Sequence, residues 1–96
     1  MENIIIKKDL RNPMLRKQNA GTKMAILFHL IVNHCHGGLI FTDRKTRQEI
    51  AMKLDVSDVT INDRIKQLRK DDLLIQDGVR GRYKLNERWI KVSYHE

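Results

Sequence analysis

The run Met24-Ala-Ile-Leu-Phe-His-Leu-Ile-Val32 constrains the fold more than any other part of the chain. Met24, Leu27, Phe28 and Ile31 recur at i, i+3, i+4 and i+7, the spacing of one helical face. Leu30 and Val32 widen that stripe until it nearly surrounds the segment. A helix apolar on almost every side must be enclosed by other elements. The spacing therefore predicts a central buried helix from Gly21 to about His34, stopped by Gly37-Gly38. Interrupted by His29, the run is also far shorter than the ~20 apolar residues of a membrane span. A chain of 96 residues supports one such core and one domain.

The flanking segments change period. Residues 1–18 read as an N-terminal basic arm or strand, and residues 19–96 as the domain proper. Ile4-Ile5-Ile6 is β-branched, Lys7, Lys8, Arg11, Arg16 and Lys17 make the following stretch basic, and Pro13 argues against a helix through it. The three isoleucines either complete the domain's small sheet or pair with a second chain, and the arm could alternatively lie along DNA. After the central helix, Leu39-Ile40-Phe41-Thr42 reads as a short strand. Thr46-Arg47-Gln48-Glu49 has the form of a capping box with Thr46 as N-cap, opening a helix of about eight residues that packs through Ile50, Ala51 and Leu54. Asp55-Val56 breaks it. Ser57 offers the next N-cap and Asp58 favours the first turn, while Ile61, Ile65 and Leu68 face inward along a third helix ending near Asp71 or Asp72. Leu73–Gln76, the turn residues Asp77–Gly81 and Arg82–Leu85 form a β-hairpin with a basic, glycine-bearing tip. Asn86 to Glu96 is compatible with a short helix or a further strand that packs through Trp89, Ile90 and Val92.

Arg47-Gln48-Glu49-Ile50-Ala51-Met52-Lys53-Leu54-Asp55-Val56-Ser57-Asp58-Val59-Thr60-Ile61 resembles the helix-turn-helix of bacterial winged-helix regulators. Those proteins carry an acidic residue, Ile-Ala, a Leu before the turn, then Val-Ser-x-x-Thr-Val. Ile65-Lys66-Gln67-Leu68 and Asp72-Leu73-Leu74-Ile75 extend the resemblance to the end of the recognition helix and the first wing strand, so it covers about residues 21–85. The implied fold is α+β, mainly α: a three-helix winged helix-turn-helix with a small antiparallel β-hairpin wing. Two residues depart from the pattern. Asp63 stands where relatives often carry Arg, and Asp55 where many carry Gly, a position Asp tolerates because it can adopt the left-handed conformation.

Nineteen Lys and Arg against twelve Asp and Glu give a net charge of +7 and a pI near 9.9, which favours a polyanionic partner. With the resemblance, that partner is expected to be double-stranded DNA, the third helix entering the major groove. With Ile61, Ile65 and Leu68 inward, the outward face holds Val59, Asp63, Lys66, Gln67 and Lys70, flanked by Thr60 and Asn62. Ser57 and Thr60 sit where helix amides favour a phosphate, and Thr46 takes the corresponding place on the second helix. Arg80, Arg82 and Lys84 supply a basic wing. The expected role is a small bacterial or mobile-element transcription regulator. One alternative is a plasmid or phage replication initiation protein, since Tyr83-Lys84-Leu85-Asn86 and the element order loosely resemble initiators of the RepL type. Another is a winged-helix module that binds protein, motivated by Asp63 on the reading face. Pairing as a homodimer would let two domains read two half-sites.

Catalysis finds no support: no glycine-rich phosphate loop and no Ser-His-Asp ordering occur, so no enzyme, cofactor or small-molecule substrate is expected. His29, His34, Cys35 and His36 lack the paired spacing of a zinc site and read as a histidine-rich helix end. Asp71, Asp72, Trp89 and Tyr94 read as structural. The single Cys35 excludes an intramolecular disulfide, and with no signal-peptide or membrane-spanning pattern a cytoplasmic location is expected.

Overall fold

In the computed structural model, which describes residues 2–15, 21–36 and 38–94, helix α1 spans Thr22–His34 and buries Ile26, Leu27, Leu30 and Ile31 completely. These four stand at i, i+1, i+4 and i+5, a stripe rotated from the expected one. Met24 and Phe28 lie half-buried at its margin, and Val32 is 57% exposed. The helix is covered on one broad side only, because two further helices and short strands do not supply enough surface to enclose it. Lys23, its side chain 10% exposed, reaches from the start of α1 to Asp71 with Nζ 2.7 Å from Oδ2.

Strands β2 (Cys35–His36) and β3 (Leu39–Phe41) follow, then helices α2 (Arg44–Leu54) and α3 (Asp58–Lys70), and strands β4 (Leu74–Gln76) and β5 (Arg82–Leu85). The four strands form an antiparallel sheet in the order β2-β3-β5-β4, with Tyr83 opposite both Ile40 and Gln76. Ile40, Leu74, Tyr83 and Leu85 turn inward and meet Ile50, Ile61, Ile65 and Leu68 from the two later helices in one core. The fold is thus α+β, with three α-helices and antiparallel sheets among the described residues. No described helix is long and apolar enough to cross a membrane.

The N-terminal segment differs from an unattached arm. Glu2–Ile6 is strand β1, and it pairs antiparallel with strand β6 (Ile90–Tyr94) of the same chain, from Glu2 opposite Tyr94 to Ile6 opposite Ile90. A 3₁₀ turn at Pro13–Leu15 follows, with Pro13 buried. Between them Asn12 is fully buried: its Nδ2 donates to Lys7 O (2.7 Å) and Trp89 O (3.0 Å), and its Oδ1 accepts from Met14 N (3.0 Å). One asparagine thus ties residues 7–14 to the turn before β6. The C-terminal alternative resolves as a strand, with Trp89 buried beneath the Arg88 guanidinium, 4.5 Å from its ring centroid. Arg16 and Lys17, the boundary between residues 18 and 19, Gly37 and the Tyr94 side chain lie outside what is described.

The start of α2 also corrects an expectation. Asp43, and not Thr46, is the N-cap: its Oδ1 accepts from Thr46 N at 2.8 Å, a bond that holds the Asp43 carboxyl below its usual range. Both residue types cap helices, but the earlier start adds a turn and points Thr46 into the interior. At the other end Asp55 adopts φ 54° and ψ 51°, so that Val56 N reaches Ala51 O at 3.0 Å. Asp55→Gly is expected to raise the unfolding free energy read from urea titrations by about 1 kcal/mol or less, and Asp55→Val to lower it by about 1–2 kcal/mol, because a β-branched residue resists that conformation.

Candidate nucleic-acid interface

Helix α3 is capped by Ser57, whose Oγ accepts from Thr60 N at 3.1 Å and shares a 3.0 Å hydrogen bond with Thr60 Oγ1. One of the amides expected to face a phosphate is therefore already used. Ile61, Ile65 and Leu68 are buried as the spacing requires. Val59, 77% exposed, leads the outer face, followed by exposed Asn62, Asp63, Lys66 and Lys70, with Thr60 and Gln67 half-buried. Asp63 does not orient a lysine: its Oδ2 accepts from the neighbouring Arg64 guanidinium and from Gln67 Nε2 at 2.8 Å. An acid on this face is thereby neutralised from within the helix, and one amide hydrogen of Gln67 is committed to it.

A group of cations lies to one side of that face, in a cleft of about 330 Å³ between α3 and the β4–β5 hairpin. Asn62, Lys66 and Arg69 line it from α3, Arg47 from α2, and Gln76, Arg80 and Gly81 from the hairpin, with Thr42 and Tyr83 at its base. Four of these are cations, and no carboxylate is among them. Like charges gathered in a concave, partly shielded space raise the local potential and attract an anion. Arg69 was open to discovery from the sequence, since 62, 66 and 69 follow the i, i+4, i+7 helical spacing. Arg47 was not, because only the packing of α2 against α3 brings it there.

The hairpin is held against the cleft by Thr42, which is buried: Thr42 N donates to Gly81 O at 2.8 Å, and Thr42 Oγ1 to the same oxygen at 3.2 Å. Arg47 closes the same corner by donating from one guanidinium nitrogen to Thr42 O at 2.7 Å. Gly81 sits at φ 84°, which favours glycine at the tip. The three wing residues consequently separate. Arg80 faces the cleft. Arg82 is occupied inside the turn, Nε donating to Asp77 O at 2.8 Å and standing 3.6 Å from Asp77 Oδ2. Lys84 alternates with Tyr83 along β5 and lies beside Leu39 and Ile75 on the opposite side of the sheet. Thr46 is likewise not at the surface, being buried in α2. Lys70 and Ser57 are exposed but do not line the cleft.

The histidines form a different arrangement. The rings of His29 and His34 meet edge to face at 5.5 Å between centroids, and His34 Nε2 stands 3.5 Å from Glu49 Oε2 on α2. Asn33 Nδ2 donates to His29 Nδ1 at 3.1 Å, which leaves the His29 proton on Nε2, a buried atom with no hydrogen-bond partner among the described residues. Desolvation first, then the charges of His34 and Lys53, push the His29 pKa below its usual value, with Glu49 opposing. The folded state therefore favours neutral His29. Its contribution is whole above pH ~6.5, begins to fall as pH drops below that value, and is fully lost once pH passes under the folded pKa. Urea midpoints measured from pH 7.5 to 5 should fall for the native chain and fall less for His29→Gln. Among the described residues no group of three or more His, Cys, Asp or Glu stands together as a metal site would require.

No protein-family model, curated protein or solved structure matches the chain.

Proposed function

We propose that this chain is a winged helix-turn-helix domain that binds double-stranded DNA, with α3 in the major groove and the β4–β5 hairpin as its wing. The observation that carries this reading is the cleft between those two elements, where Arg47, Lys66, Arg69 and Arg80 gather without a carboxylate. A phosphodiester strand running between a recognition helix and a wing would meet these four cations. Three further features support it. From α1 to β5 the order is helix, two short strands, helix, helix, hairpin, with β3 paired to the second arm of the hairpin, which is compatible with a winged helix. The outer face of α3 is open to solvent over Val59, Asn62 and Lys66. The net charge of +7 suits a polyanion.

The role that fits best is a small transcription regulator. The competing idea of a protein-binding module drew on Asp63 as an acid pointed at DNA, and the bonds from Arg64 and Gln67 weaken that motive. Selection of bound duplexes from random and native-element DNA tests the proposal. A shared duplex motif is expected, with affinity falling steeply as salt rises. A promoter-centred motif supports regulation, and iterated sites at an origin would transfer the role to replication initiation. Failure to retain any duplex at low salt would overturn DNA binding altogether.

A further inference from the structure

A cavity of about 620 Å³ lies away from the basic cleft, between the outer face of the four-stranded sheet and β6. Leu39, Ile75 and Val92 supply apolar walls over the fully buried Ile90, and the turn at residues 86–88 closes one end. The volume falls within the range of small-molecule sites. Its charged lining is small and unbalanced: Lys84 and Arg88 against Glu87, a net of one positive charge. Neither cation forms an ion pair among the described residues. The Arg88 guanidinium instead lies over the Trp89 ring, although it is near enough to contribute to the low pKa of Asp9. Apolar walls with a single surplus cation fit an elongated apolar body ending in one negative charge. A second copy of this chain fits less well, because it would bring a second net charge of +7, its own Lys84 and Arg88 included, against the same surface.

We infer that this groove binds an amphiphilic monocarboxylate of medium chain length, its carboxylate between Lys84 and Arg88 and its alkyl chain along Leu39, Ile75 and Val92. The site does not depend on the DNA reading, but it shares its strands with the cleft. Lys84 and Ile75 alternate with Tyr83 and Gln76, which line the other side. An occupant would therefore contact the two strands that carry the hairpin, the position an effector needs.

Trp89 is the only tryptophan in the chain, and Arg88 covers its ring, so intrinsic fluorescence reports the carboxylate end of the groove. The test titrates the protein with decanoate below its micellar concentration, with decyltrimethylammonium as the cationic counterpart. A saturable change in Trp89 emission with decanoate alone is expected. Lys84→Gln should weaken it about three- to fivefold, the effect of one exposed cation. Lys70→Gln, at the end of α3, should leave it unchanged, which separates the groove from general attraction to a basic protein. Equal response to the two amphiphiles, no saturable response, or indifference to Lys84→Gln in a variant with native circular dichroism would each overturn the inference. So would a ligand-free dimer in sedimentation that buries Ile75 and Lys84.

Discussion

Replacing Lys66, Arg69 and Arg80 together by alanine is expected to weaken duplex binding by several hundredfold at about 0.1 M salt and to flatten its salt dependence. The magnitude follows from counterion release: each neutralised phosphate adds ~0.9 to the slope of log affinity against log salt, so three lost contacts remove ~2.7. All three residues line one cleft and none of them makes an ion pair among the described residues, so their removal costs the fold little. Two controls locate the effect. Lys84→Ala, on the other side of the sheet, should leave the slope unchanged. Arg82→Ala should act on hairpin stability, because it loses the bond to Asp77 O. Fluorescence anisotropy on a selected duplex at four salt concentrations decides the matter. A triple variant with the native slope would remove this cleft from the interface.

Asn12→Ala should be the most damaging single polar substitution for stability, at about 3 kcal/mol. The side chain is fully buried and joins Lys7 O, Met14 N and Trp89 O. Alanine leaves those backbone groups without that partner, at roughly 1–3 kcal/mol for each that water cannot reach. In a domain of this size that corresponds to a fall in melting temperature of roughly 12–24 °C. Asn12→Asp should not rescue it, since a carboxylate turns oxygens toward two carbonyl oxygens. By contrast the Asp9–Arg11 pair nearby is open to water. Bonds from Arg11 hold the Asp9 carboxyl down to about 2, yet breaking them should barely move the melt. A melting temperature for Asn12→Ala within about 3 °C of the native chain would mean that β1 and the 3₁₀ turn are held by other means.

Helix α3 was the most legible element, because Ile61, Ile65 and Leu68 report its inward face directly and Ser57 marks its start. The second helix was legible in kind but not in origin. Asp43 and Thr46 both cap helices, three residues apart, and only the tertiary environment that buries Thr46 chooses between them. Val32 misled for a related reason: an apolar side chain signals a core only if enough other surface exists to cover it. Lys84 is close to Arg80 in sequence, yet strand alternation sends it to the opposite side of the sheet from Tyr83. The pairing of Ile4–Ile6 with the last strand was beyond local reading. Three isoleucines state a preference for extended backbone but carry no address for a partner at Ile90 and Val92. The cleft itself was half visible: Asn62, Lys66 and Arg80 stood among the expected contacts, and Arg47 joined them through tertiary packing alone.

The antiparallel register of β1 and β6 has a mechanical consequence. Glu2 lies opposite Tyr94, so the start of β1 and the end of β6 lie at the same end of the ribbon. A tensile load pulling those ends apart acts along the inter-strand bonds, which run across the strands, and therefore meets them one after another instead of all at once. The ribbon should open like a zip under modest force while Asn12 resists as the first hard stop, and helices tethered further in would feel no strain until it yields.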